Sequence, residues 1–176
     1  MKIDTERLLL VACTLDLAEA LQREPARAEA LLDALLPDGW PDAELAELLP
    51  LYAARLRADP ALLGYGVWIA VERSEGGVVG SAGFTGRGSD GVVELGFGIH
   101  PSFRNAGYAT EAASALVEWA LAQEGVHEVV AECERENAPS VRVLEKIGLQ
   151  RTGERGSVLL WSTASNSALS PLGESP

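Results

Sequence analysis

Glu94 stands in the segment Glu94-Leu95-Gly96-Phe97-Gly98-Ile99, where strand alternation sets Leu95, Phe97 and Ile99 on one face and Glu94, Gly96 and Gly98 on the other. Glycine weakens a strand, so two of them beside a carboxylate mark a face that a ligand or another backbone approaches closely. A bulge, with Glu94 paired to a surface arginine, is the ordinary alternative. After Pro101 comes Arg104-Asn105-Ala106-Gly107-Tyr108-Ala109-Thr110, at the entry to a helix-patterned segment. The first amides of a helix lack internal partners and sit at the positive end of its dipole, so they suit a phosphate. Gly107 permits close backbone approach, and Ala109 keeps a neighbouring position small. No Walker GKS/T follows, and the preceding strand belongs to a meander, which excludes a dinucleotide fingerprint. Further on, Asn137 and Ser140 open another helix. Both are common caps, yet Ser140 shares helical spacing with Val143, Leu144 and Ile147, which turns its hydroxyl toward the inward face, where a polar group needs a partner.

The elements that must hold these residues are legible from periodicity. Leu8 to Ala12 predicts a first strand, Thr14 with Asp16 caps a helix to about Glu24, and a second helix runs from Pro25 to before Pro37. From Pro41 to Ala58, Leu45, Leu48, Leu49, Tyr52, Ala53 and Leu56 recur at helical spacing, with Pro50 expected to kink or split the segment. Gly66–Arg73, Val78–Thr85 and Val92–Ile99 predict an antiparallel meander. A helix over Asn105–Gln123 and a strand over Glu128–Glu134 then favour a parallel pair with the last meander strand. Ala138–Ile147 is a short helix with Pro139 in its first turn and Gly148 at its end, and Gln150–Arg155 and Ser157–Thr163 supply final strands.

A chain of 176 residues, 47% hydrophobic, suits one domain, taken as residues 1–163, with 164–176 a Ser-rich tail expected to be disordered. The net charge of -12 disfavours nucleic acid, which requires clustered Lys and Arg, and favours a cationic partner. Two cysteines, Cys13 and Cys133, are too few for a disulfide framework and lack metal-ligand spacing, so no metal is expected. No apolar run has the length of a signal core or a membrane span, so a cytoplasmic protein without membrane association is expected. His100 is read as shaping a turn, His127 as loop surface, and Trp40, Tyr65 and Trp68 as core or as cleft lining.

Taken together, the chain resembles the GNAT superfamily of acyl-CoA N-acyltransferases, most closely the branch like the ribosomal-protein N-terminal acetyltransferases. The residues that carry the resemblance are Thr5-Glu6-Arg7-Leu8-Leu9-Leu10, the Glu94-Leu95-Gly96 strand, Arg104–Ala109 with Tyr108-Ala109-Thr110-Glu111-Ala112, and Asn137–Gly148. The resemblance implies an α+β fold: a mixed, twisted central sheet flanked by helices, whose middle strands splay to admit the pantetheine arm of acetyl-CoA. It implies that backbone groups around Gly98, Ile99 and Pro101 pair with that arm. Arg104, Asn105, Ala106, Gly107, Tyr108, Ala109 and Thr110 would wrap the pyrophosphate, and Asn137 would steady the loop or the cofactor. Glu94 falls at the position of the general base, acting directly or through water, and Ser140 at one proposed to contact the cofactor and protonate the leaving thiolate. Leu144 stands where many members place a tyrosine, and Leu149 where a phenylalanine is common.

The implied activity is acetyl transfer from acetyl-CoA, as co-substrate, to a primary amine: a peptide or protein N-terminus or a small molecule. The amine, with a pKa near 8 for an α-amine or about 10.4 for a lysine, must be neutral to attack, which is the task of a carboxylate base. An idle GNAT-like module that binds acyl-CoA as a sensor is the competing reading, and an unrelated nucleotide-binding domain a third, separable by competition with ATP or NAD. The acceptor's identity and a homodimeric state are left open.

Overall fold

Strands β1 (Lys2–Asp4) and β2 (Leu8–Ala12) open the chain as an antiparallel hairpin, so one short strand precedes the first that periodicity predicts. Three helices follow: α1 (Leu15–Arg23), α2 (Pro25–Leu32) and α3 (Ala43–Ala58). Thr14 caps α1 by accepting a hydrogen bond from Leu17 N, and Asp42 caps α3 by accepting one from Leu45 N. The computed structural model describes residues 1–88 and 90–164; the expected tail, 164–176, lies outside them except for Ala164.

Next come β3 (Val67–Glu72), β4 (Gly77–Phe84) and β5 (Val92–Ile99), the predicted antiparallel meander. Helix α4 (Tyr108–Leu121) crosses to β6 (Glu128–Glu134), which pairs parallel to β5. Helix α5 (Ala138–Lys146) leads to the closing hairpin of β7 (Gln150–Arg155) and β8 (Val158–Ser162). All eight strands form one mixed sheet in the order β1-β2-β3-β4-β5-β6-β8-β7.

Alternation along the strands divides the core between the two faces of this sheet. Val11, Val67, Ile69, Val71 and Val78 pack beneath α1, α2 and α3. On the opposite face Leu8, Leu10, Trp68, Val93, Leu95, Val129 and Ala131 pack beneath α4 and α5. Ala112, Ala113 and Ala120 give α4 a face of small side chains, which lets it lie close to the sheet. Tyr65, Trp68 and Phe84 gather around Trp119, with ring centroids 5.3, 5.4 and 5.9 Å from it. Trp40, Tyr65 and Trp68 are all buried, so of the two readings of these rings the core reading holds.

Three expectations require correction. Pro50 does not split its helix: α3 runs unbroken from Ala43 to Ala58. Pro50 is exposed, so the carbonyl its missing N–H leaves unpaired faces water rather than core. Leu48 also lies outside the buried stripe, 43% exposed, while Leu45, Leu49, Tyr52, Ala53 and Leu56 are buried as predicted. The helix predicted from Asn105 begins only at Tyr108, because Asn105 and Gly107 adopt left-handed conformations with φ 63° and 86°.

Candidate active site

The parallel ladder between β5 and β6 runs from Val92 opposite Glu128 to Leu95 opposite Ala131 and stops there. Beyond it, Gly96–Ile99 pair only with β4, and Glu132–Glu134 only with β8. The two central strands therefore part after Leu95, and their facing edges present backbone N–H and C=O groups that the sheet does not pair. Because β5 and β6 are parallel, the chain leaves both at the same end of this gap. From β5 it turns through a short 3₁₀ segment, Pro101–Phe103, into the 104–107 loop and α4. From β6 a tight turn, closed by Asn137 N donating to Glu134 O at 2.9 Å, leads into α5. Two helix N-termini thus flank one mouth, an arrangement that favours an anion there.

The 104–107 loop is shaped for amide presentation. Arg104 Nε donates to Ile99 O at 3.0 Å, folding the loop back on the end of β5. Asn105 and Gly107 take left-handed conformations on either side of Ala106, the kind of alternation that can turn neighbouring N–H groups toward an anion. Gly107 caps α4 without a side-chain acceptor, so the first-turn amides of Tyr108, Ala109 and Thr110 are not claimed by a cap. At the other helix Asn137 acts as a cap, its Oδ1 accepting from Ser140 N at 3.2 Å. Ser140 is half-buried, and its hydroxyl makes no hydrogen bond among the described residues. Leu144, one turn further on, is fully buried, so this position contributes packing and no proton donor.

On the sheet face opposite α4, the carboxylate and the two glycines line up as alternation requires. β5 keeps regular register against β4 from Leu95 to Ile99, so neither Gly96 nor Gly98 marks a bulge. A Cβ on Gly96 would meet nothing within 4 Å, and one on Gly98 would lie 4.0 Å from Asp42 Oδ2. These glycines form the floor of a cavity of about 400 Å³ roofed by α3, with Asp42, Leu48, Leu51 and Thr85 among its walls. Glu94 is half-buried outside the cavity's lining and adjoins it through Thr85, whose Oγ1 donates to Glu94 Oε2 at 3.4 Å; among the described residues this is its one side-chain partner, and no arginine pairs with it. Arg55, also on the wall, is turned to the Thr85 carbonyl at 3.0 Å.

His100 holds its turn as expected, with Nδ1 accepting from Ser102 N at 3.4 Å. His127 is exposed on its loop. Sequence reasoning missed two contributors. Asp42 was given no role, and its place beside Gly98 depends on how α3 crosses the sheet. Arg7 was quoted within a motif without a role, and in the structure it reaches the 104–107 loop. Among the described residues no cluster of potential metal ligands occurs, and no helix is long and apolar enough to cross a membrane.

Comparison with known proteins fits this geometry. Residues 7–150 match the acetyltransferase (GNAT) domain family. An uncharacterized N-acetyltransferase of Bacillus subtilis, YjdG, is 33% identical over 147 residues, which cover 83% of this chain and 88% of that protein. The chain belongs to the GNAT acetyltransferases and is an acetyl-CoA-dependent acetyltransferase. Among solved structures, the ribosomal-protein-S5-alanine acetyltransferase of Vibrio fischeri superimposes with a TM-score of 0.63 at 15% identity, over 97% of this chain and 100% of that one. RimL, a ribosomal L7/L12 α-N-protein acetyltransferase solved in complex with coenzyme A, gives 0.63 at 18% identity, over 92% and 97% of the two chains. At these identities the likeness establishes the fold.

Proposed function

We propose that the protein transfers the acetyl group of acetyl-CoA to a primary amine by direct attack, with Glu94 as general base. The observation that carries this reading is the parting of β5 and β6 after Leu95, with the left-handed turns of the 104–107 loop at its mouth and a separate cavity on the α3 side, floored by Gly96 and Gly98, whose Thr85 wall adjoins Glu94. The diphosphate binds the amides of the 104–110 segment. The pantetheine arm then runs into the gap along Gly98 and Ile99, past Pro101, and brings the thioester to the level of Leu95 and Gly96. The amine enters from the α3 side, over the bare faces of Gly96 and Gly98. Glu94, directly or through a water, takes its proton as the tetrahedral intermediate forms. Backbone N–H groups of the open edge stabilise the oxyanion. Ser140, at the same mouth, donates to the departing thiolate.

Release of free thiol from acetyl-CoA in the presence of peptide N-termini, polyamines, amino acids and aminoglycosides tests the reading directly. Coenzyme A binding with no turnover on any amine would leave an acyl-CoA-binding module instead. Ser140→Ala is expected to lower kcat by less than Glu94→Gln does, at near-normal acetyl-CoA KM, because a thiolate is already a fair leaving group and water can substitute. A raised cofactor KM at constant kcat would make Ser140 a binding residue.

The acceptor is read as a cationic amine. Asp42 and Glu44 stand on the cavity wall in a chain of net charge -12, and such a field concentrates positive substrates. Asp42→Asn is the informative change, since asparagine caps a helix as well as aspartate and α3 keeps its start. For the best acceptor found, this variant should raise the acceptor KM and leave the acetyl-CoA KM unaltered. In the wild type, kcat/KM should fall as salt shortens the screening length toward about 8 Å. An anionic best acceptor, or indifference to both changes, would leave selection to pocket shape.

A further inference from the structure

Thr5-Glu6-Arg7, between β1 and β2, takes no part in the reaction drawn above, yet it is fastened to the start of α4, 104 residues on in sequence. Arg7 Nε donates to Glu111 Oε2 at 2.8 Å, and Nη1 to the Ala106 carbonyl at 2.8 Å. The Arg7 backbone N–H donates to Glu111 Oε1 at 2.7 Å, and the Thr5 hydroxyl to the same oxygen at 2.6 Å. The guanidinium also lies 4.7 Å from the centroid of the Tyr108 ring. We propose that Arg7 is a positioning residue for the diphosphate of acetyl-CoA, holding the Ala106 carbonyl outward and neutralising Glu111 so that the loop shows the ligand amides and no opposing charge. The inference rests on the assignment of the 104–110 segment to that diphosphate.

A loop that turns its N–H groups toward an anion must turn its carbonyls away, and each carbonyl turned away needs a donor. Arg7 supplies that donor in the middle of the loop, at Ala106, between the left-handed Asn105 and Gly107. Glu111 in the first turn suits the helix dipole but would repel a phosphate bound there. It is turned instead to Thr5 and Arg7. Burial works to raise its pKa, and the hydrogen bonds from Thr5 and Arg7 outweigh that, so it lies below the usual carboxylate value and the pair is ionised at neutral pH. Arginine is required because one planar fork reaches a carboxylate and a carbonyl at once, which a lysine ammonium cannot reproduce. The Arg7 side chain is 41% exposed, so as an ion pair it adds little to global stability, and its effect is local to the loop.

The test compares coenzyme A with a donor that ends before the diphosphate. In Arg7→Lys and Arg7→Met the Kd for coenzyme A, by titration calorimetry, should rise about tenfold or more, as loss of charge-assisted bonding implies. The acetyl-CoA KM should rise with it at nearly constant kcat, while kcat/KM with acetyl-pantetheine stays at the wild-type level. Glu111→Gln, which removes the opposing charge while Arg7 keeps its bond to the Ala106 carbonyl, should leave the Kd for coenzyme A closer to the wild-type value than either Arg7 variant does. Folded Arg7 variants that bind coenzyme A as the wild type does, or that lose acetyl-CoA and acetyl-pantetheine activity in parallel, would overturn the positioning role and leave the enzyme assignment intact. Failure of the wild-type protein to bind coenzyme A would remove the loop assignment, and this inference with it.

Discussion

Glu94→Gln is expected to lower kcat by about 100- to 10,000-fold, the usual contribution of a positioned acid or base, with the affinity for coenzyme A unchanged. The substitution is close to isosteric. The side chain sits beside the cavity's Thr85 wall with a single side-chain partner among the described residues, Thr85 Oγ1 at 3.4 Å, which can donate equally to an amide oxygen, so nothing in the sheet is disturbed. What is lost is the ability to accept a proton from an amine that is largely protonated at neutral pH. The acidic limb of the wild-type pH–rate profile, where protonation of the base removes activity, should disappear from the variant. Residual activity should rise steadily toward high pH as the free amine takes over. Wild-type turnover in Glu94→Gln would show that the amine arrives neutral or gives up its proton elsewhere.

The second large effect is expected at Gly107. Its φ of 86° lies in the left-handed region, which is costly for a β-branched residue, and a Cβ there would stand 3.3 Å from Arg7 Nη2. In Gly107→Val the loop must leave this conformation, and the amides of the 104–110 segment can no longer converge on one point. Each charge-assisted hydrogen bond forfeited is worth about 1.5 to 3 kcal/mol, so losing two of them weakens coenzyme A binding by a hundredfold or more. The site is a surface turn, and the thermal midpoint should move little compared with the change in binding. A folded Gly107→Val protein with unchanged affinity for coenzyme A would place the diphosphate elsewhere.

The parts of the molecule legible in the sequence are those governed by local rules. The meander over β3, β4 and β5, the parallel pairing of β6, the caps at Thr14 and Asn137 and the face shared by Glu94, Gly96 and Gly98 all follow from alternation, helical spacing or cap chemistry. What the sequence did not reveal depends on tertiary placement. β1 is three residues long and exists through its pairing with β2, so no periodicity could announce it. Pro50 signalled a break because isolated propensity disfavours it, but on a solvent-facing turn of a helix anchored by Leu45, Leu49 and Leu56 the loss of one hydrogen bond is tolerated. The ties between Arg7 and Glu111 join segments 104 residues apart, and Asp42 reaches Gly98 across a helix crossing; neither distance is encoded in local pattern.

The division of the core by the sheet bears on how such a protein can change over time. The wall proposed for the acceptor belongs to α3, whose packing partners are α1 and the strand face beneath them, whereas the loop proposed for the diphosphate leads into α4 on the other side. Residues that share no neighbours contribute nearly additively to stability and binding. Exchanges at Leu48 or Leu51, 43% and 52% exposed, can therefore remodel the entrance for a new amine without disturbing the donor grip. Selection can try one acceptor after another against a fixed source of acetyl groups, and a directed-evolution library confined to the outer turns of α3 should retain donor turnover in most of its members.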